Sequence, residues 1–210
     1  MHITCDLDGV VFDFENAWVR CAQQVLGKSL TRHSQRYDLH HAYAISGQQK
    51  EKVWAAFHLS GCWRTVPALP NARETLIMMQ DLGHRLSFVS QLTVQDPELR
   101  RQIEDDRQAS LERLGLRGDM VFVEGEKYHA LTHLRPHFYA DDRWPCCLDA
   151  RHAHVPFIAH IQSQHDGDGT QVDGVQSYPD LANAVGAFRP VLSTTHPTIR
   201  GLSQEIAHES

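Results

Sequence analysis

The apolar positions of this chain follow two different rhythms, and the change between them divides the sequence. His2–Asp6 reads as a short strand, and Phe14–Leu26 as an amphipathic helix. In that helix Phe14, Trp18, Cys21, Ala22 and Val25 recur on one stripe, and Gly27 supplies a stop. The pattern then loosens. Ser29–Ser60 mixes aromatics and histidines with polar residues, and Gln48–His58 carries one more helical period. Nothing between Lys28 and Pro70 has the apolar run of a buried strand, so this stretch is predicted to be a helical insertion closed by VPALPNA.

From Asn71 the alternation becomes regular. Asn71 is an expected N-cap for a helix to Leu82, followed by Gly83. Strands are predicted at His84–Ser90, Asp119–Val123, His137–Ala140 and Val155–His160. Helices are predicted at Pro97–Leu114, Lys127–Leu134, Cys146–Ala153 and Tyr178–Phe188. Gln162–Gly174, rich in Gly, Asp and Gln, reads as a loop, and the residues after Pro190 as a loosely attached tail. Strands alternating with helices imply an α/β fold, a Rossmann-like parallel sheet with helices on both faces. The expected division is a core of 1–14 and 68–190, an inserted helical segment of 15–67, and a tail of 191–210.

Composition narrows the function classes. The 210 residues carry a formal charge of −6, which gives no reason to expect a nucleic-acid-binding surface. Five cysteines form no CxxC, and their odd number speaks for free thiols in a reducing compartment. With no leader pattern and no apolar run near membrane-spanning length, the expectation is a soluble, cytoplasmic protein with no membrane partner. Fifteen histidines are scattered, and the spaced pair His129 and His133 lacks a third ligand, so it reads as an exposed helix face. Oligomeric state is not legible.

Ligands of open parallel sheets bind beyond the carboxyl ends of the strands. Four polar signals fall there: Asp6-Leu7-Asp8-Gly9, Ser90, Lys127 after the turn VEGEK, and Asp141-Asp142. Paired acids at a strand end repel and are costly to desolvate, so they call for a neutralising partner. Several carboxylates at one point suit a hard divalent cation such as Mg2+, which prefers oxygen and keeps waters for phosphate. A serine hydroxyl, a lysine and backbone N–H groups would hold the phosphoryl group. One aspartate can attack phosphorus, and a second two residues on can protonate the leaving oxygen. Each signal alone has a plainer reading: an Asx turn at Asp6–Gly9, a solvated Lys127, a surface pair of Asp141 or Asp142 with Arg143. Their occurrence together and in order favours chemistry.

The ordered motifs DLDGV (Asp6–Val10), SFVS ending at Ser90, Lys127 and YADD ending at Asp141-Asp142 resemble those of haloacid dehalogenase superfamily phosphohydrolases. The resemblance implies a Mg2+-dependent phosphatase acting on a small phosphomonoester through an aspartyl phosphate. Asp6 would be nucleophile and metal ligand. Asp8 would be general acid and base, with its backbone carbonyl on the metal. Ser90, Gln91 and Lys127 would hold the phosphoryl group, and Asp141 would complete the metal site. Asp142 would stand behind the ligands or bind through water. An acid at Asp8 favours phosphoryl transfer over C–halogen or C–P cleavage. The insert falls at the superfamily's first cap position, and DLDGVVFDFE, RYDL and WRTVPALPNA are most similar to the 5'(3')-deoxyribonucleotidase group. That likeness implies a nucleoside monophosphate substrate, with Phe12, Phe14, Tyr43 and Trp63 facing base or sugar, although packing of a small insert explains the same aromatics. Ser90 is followed by Gln91 where that group carries a second hydroxyl. A sugar or other metabolite phosphatase is the alternative. A catalytically idle binding module is a further one, against which the full set of acids and lysine argues.

Overall fold

A computed structural model describes residues 1–165 and 170–194. Its centre is a sheet of six parallel strands in the order β3-β2-β1-β4-β5-β6. The strands are β1 (His2–Cys5), β2 (Arg85–Gln91), β3 (Asp119–Val123), β4 (Phe138–Asp141), β5 (Phe157–Ile161) and β6 (Gln176–Tyr178). Between β1 and the second strand lie α1 (Phe14–Leu26), α2 (Leu39–Ala42), α3 (Gly47–Leu59), α4 (Cys62–Thr65) and α5 (Ala72–Asp81). Later crossovers use α6 (Pro97–Arg113), α7 (Tyr128–Leu134) and α8 (Trp144–His152), and α9 (Leu181–Thr194) follows the last strand. The chain winds outward from β1 through β2 to β3, then returns to the other side of β1 with β4. The crevice between β1 and β4 is therefore the switch point where open α/β sheets bind ligands.

Strand alternation assigns the two faces. Ile3, Cys5, Phe88, Phe138 and Ala140 join one apolar cluster with residues of α5 and α9. Val89 and Tyr139 face the opposite way, into a second cluster with Leu131 of α7 and Ala150 of α8. Thr4 pairs with Tyr139, and so Thr4 and the next inward residue, Asp6, share the α7–α8 face.

The α1–α4 stretch leaves and returns side by side. Phe12 bridges Ala68 antiparallel, the Asp13 N–H donates to the Pro67 carbonyl (2.9 Å), and the Leu69 N–H donates to that of Val11 (2.8 Å). No strand lies between residues 14 and 67, as the sequence suggests. Trp18, Val53 and Phe57 are fully buried there and belong to the same apolar cluster as the sheet. At about 1.5–3 kcal/mol for each large apolar side chain buried, they hold the stretch onto the core. Ser46 and Gln49 form a reciprocal capping box that starts α3.

Three expectations need correction. Asn71 does not cap α5: it adopts a left-handed conformation (φ 61°), and its side chain makes no cap bond. Gln176–Tyr178 is an edge strand, and α9 begins only at Leu181, because three residues are too short to display alternation. The last helix also runs past Pro190 to Thr194, beyond the expected start of the tail. The expected loop at 166–169 and the expected tail at 195–210 lie outside the described residues. Among the described residues no helix is long and apolar enough to cross a membrane. All five cysteines are free thiols, and His129 and His133 are exposed.

Candidate active site

Asp6 extends β1 by one residue, and its N–H still donates to the Ala140 carbonyl at 2.8 Å. The chain then turns back on itself. The N–H groups of Val11 and Phe12 both donate to the Leu7 carbonyl (2.9 and 2.8 Å), and that of Gly9 donates to the Phe12 carbonyl (3.0 Å). Gly9 is required twice over. Its φ is +78°, and a Cβ at this position would sit 1.8 Å from Oδ2 of Asp142. The motif thus lets β1 and β4 bring their terminal acids together without an intervening side chain.

Lys127 is the hub of the cluster. It is 2% exposed, and its Nζ donates to Oδ1 of Asp6 and to Oδ2 of Asp141, both at 2.7 Å. Its backbone N–H donates to Asp149 Oδ2 (2.7 Å), which fixes the start of α7. Burial opposes its charge, but Asp141 and Asp6 hold the ammonium well above its ordinary pKa. The reading of Lys127 as a solvated surface residue therefore falls.

The two acids closing β4 have different surroundings. Asp141 is fully buried; its Oδ2 also accepts from the Tyr139 hydroxyl, and its Oδ1 accepts from the Arg143 N–H at 2.9 Å. Oδ2 of Asp142 lies 3.1 Å from the His165 imidazole, and the carboxylate faces the bare backbone of Gly9. One carboxylate oxygen from each of Asp6, Asp141 and Asp142 lies within 4.8 Å of the others. Burial drives the Asp6 carboxyl above its ordinary range; Lys127 pulls it back, and Asp141, Asp142 and Asp8 push it further up. Burial raises Asp142 as well, opposed by the His165 contact. An all-oxygen set of crowded, buried carboxylates with more negative charge than one lysine offsets fits a hard divalent cation.

Other expected residues divide. Ser90 is 3% exposed, near the end of the strand flanking β1, two residues beyond the Cys5–Phe88 pair. Gln91 does not present a free amide to a phosphate: its Nε2 donates to the Gly125 carbonyl (2.7 Å), and its Oε1 accepts from Arg143 Nη1 (2.5 Å). Asp8 forms an ion pair with Arg107 of α6. The aromatics expected to face a base are packed into the protein instead. Phe12 is fully buried, Trp63 is 6% exposed and stacks on Phe14 (centroids 5.4 Å apart), and the Tyr43 hydroxyl donates to Glu15 (2.6 Å).

Sequence reasoning missed Tyr139, Arg107, Arg143 and His165. Tyr139 was within reach, since it lies two residues before Asp141 on the same strand and hence on the same face. Arg107 had a signal too: it interrupts the inward stripe Ile103, Arg107, Ser110, Leu111 of α6. Arg143 packs its guanidinium carbon 3.9 Å from the ring centre of Tyr37, which in turn meets His165 edge-on at 5.0 Å. No local pattern announces that contact across 106 residues of sequence.

No known family profile and no curated protein matches the sequence. Solved structures do match. A candidate haloacid dehalogenase-like hydrolase from Burkholderia xenovorans LB400 superposes with a TM-score of 0.60 at 11% identity, over 91% of this chain and 97% of that one. A HAD family hydrolase from Deinococcus radiodurans R1 gives 0.52 at 16% identity, over 94% and 98%. A D,D-heptose 1,7-bisphosphate phosphatase from B. bronchiseptica, complexed with magnesium and phosphate, gives 0.53 at 11% identity, over 90% and 98%. At such identities the likeness is one of fold. The chain has the parallel α/β fold shared by haloacid dehalogenase-like hydrolases, with its buried acids and lysine at the switch point of the sheet.

Proposed function

We propose that this protein is a divalent-metal-dependent phosphomonoesterase of the haloacid dehalogenase type, acting through an aspartyl phosphate on Asp6. The observation that carries the reading is the convergence of Asp6, Lys127, Asp141 and Asp142 at the carboxyl ends of two adjacent parallel strands. Asp6 and Asp142, with the backbone carbonyl of Asp8, would hold Mg2+. Asp141 anchors Lys127 instead, because hydrogen bonds already occupy both its oxygens. The metal, when bound, supplies charge neutralisation for the phosphoryl oxygens.

In the first step an Asp6 oxygen attacks phosphorus, the ester P–O bond breaks, and Asp8 gives a proton to the leaving oxygen. In the second, water attacks phosphorus, its proton passes to Asp8, and the Asp6–phosphorus bond breaks to release phosphate. Lys127 and the Ser90 hydroxyl hold the phosphoryl oxygens during both. The α1–α4 stretch next to this motif serves as the cap that chooses the leaving group. Its aromatics are occupied with one another, which favours a sugar or other compact metabolite phosphate over a nucleotide.

The test is phosphate release with Mg2+ from a panel of sugar phosphates, short-chain metabolite phosphates and nucleoside monophosphates, beside Asp6→Asn. The expected result is turnover of compact esters that falls by about 10⁴-fold or more in the variant. Release from none of the esters would sink the enzyme reading. Preference for nucleoside monophosphates would overturn the substrate class and keep the chemistry.

A further inference from the structure

We infer that Arg107 is a positioning residue for Asp8: it fixes one carboxylate oxygen and leaves the other to carry the proton to and from the ester. This rests on the phosphomonoesterase reading above. Arg107 belongs to α6, far from the four motifs in sequence, yet its side chain is 2% exposed and reaches the motif loop. Its Nη2 pairs with Oδ2 of Asp8. Its guanidinium carbon lies 4.5 Å from the centre of the Trp63 ring and 5.7 Å from that of Phe12, a sandwich that leaves the head group little freedom. The helix that carries it is tied down beside it. Ser110 donates to the Trp63 carbonyl (2.6 Å), Arg113 to the Val66 carbonyl (2.7 Å), and Arg64 to Asp106 (3.0 Å).

Burying a guanidinium is costly unless its donors are matched. Among the described residues, Nη1 of Arg107 and Oδ1 of Asp8 are buried and make no hydrogen bond. With Oδ2 held by the guanidinium, Oδ1 is the oxygen left to hand its proton to the leaving oxygen as the ester bond breaks. The same oxygen takes a proton back from the attacking water. A planar, forked donor sets the plane of the carboxylate, which an ammonium cannot do.

The experiment measures kcat/KM with Mg2+ for aryl phosphates of rising leaving-group pKa, from p-nitrophenyl to phenyl phosphate, in the wild type, R107Q, R107K and R113Q. A good leaving group departs without a proton, whereas a poor one needs Asp8. R107Q is expected to keep p-nitrophenyl phosphate turnover within about fivefold and to lose about 10²-fold on phenyl phosphate. R107K falls between. R113Q, which removes the tie to Val66 without touching Asp8, keeps the wild-type dependence on leaving group. Turnover of the p-nitrophenyl ester also reports folding; if R107Q does not fold, R107K decides. A wild-type dependence in both variants overturns the inference while the phosphatase reading stands, and failure of both to fold assigns Arg107 to the fold alone. A wild type inactive on every ester removes the phosphatase reading and this inference with it.

Discussion

The two ends of β1 are built from opposite principles. At its start, His2 is nearly buried and its polar groups are matched by neutral partners. Its N–H donates to His137 Nδ1 (3.1 Å), its Nδ1 pairs with the Leu134 carbonyl (3.0 Å), and its Nε2 with the Ser87 hydroxyl (2.6 Å). At its finish, a few residues on, three carboxylates crowd together, and one ammonium pairs with two of them. Burial lowers the His2 pKa and so favours the neutral ring; burial raises Asp6, whose repulsive neighbours add to the shift. One end is satisfied as it stands, and the other holds repelling charge that, on the proposed function, a metal and a phosphate would offset. On that proposal the free protein must tolerate the repulsion, which places the site's cost in stability rather than in packing.

The sharpest way to break the contrast is Lys127→Met. It leaves Asp6 and Asp141 buried without their shared cation, and the expected loss is about 3–5 kcal/mol in chemical denaturation, with phosphatase activity gone. A loss below about 1 kcal/mol would mean that the acids are not charged together in the folded state.

A second measurement follows the two ends through pH. The folded protein holds the Asp6 proton more tightly than the unfolded chain does. Stability without metal therefore falls as pH rises from the ordinary value of 3.8 through the raised value of about 8. His2 acts in the opposite sense: its lowered pKa makes stability fall as pH drops below the ordinary 6.5. In chelator, Asp6→Asn is expected to melt higher than the wild type, by about 1–2 kcal/mol near pH 8, with the gap closing towards pH 4. A pH-independent gap would show that repulsion at the sheet's carboxyl end is not what the substitution relieves.

The smallest effect belongs to the quiet end. Ser87→Ala removes the partner of His2 Nε2 and is expected to cost about 1–2 kcal/mol with kcat/KM unchanged. A change in kcat/KM would couple the two ends of the strand and weaken the comparison.

Most of the fold was legible because its signals are local. The strand–helix alternation after Asn71, the helix at Phe14–Leu26 and the strandless stretch that follows all appear in the structure within a few residues. The edge strand at Gln176–Tyr178 escaped because it is stabilised by β5 beside it rather than by any period of its own. Asp6, Asp8, Ser90, Lys127, Asp141 and Asp142 were marked by polar chemistry at strand and helix ends, where each has a plainer reading alone but their ordered occurrence together does not.

What the sequence could not assign was the division of labour among those residues. The change of direction between β3 and β4 placed Asp142 against Gly9 and engaged both oxygens of Asp141. It also turned the amide of Gln91 towards Arg143, while the earlier crossover through α6 set Arg107 on Asp8 across 99 residues of chain. Residue type and spacing determine which groups can do chemistry. Which oxygen is free to do it depends on donors brought from distant strands, and only the packed tertiary structure decides that.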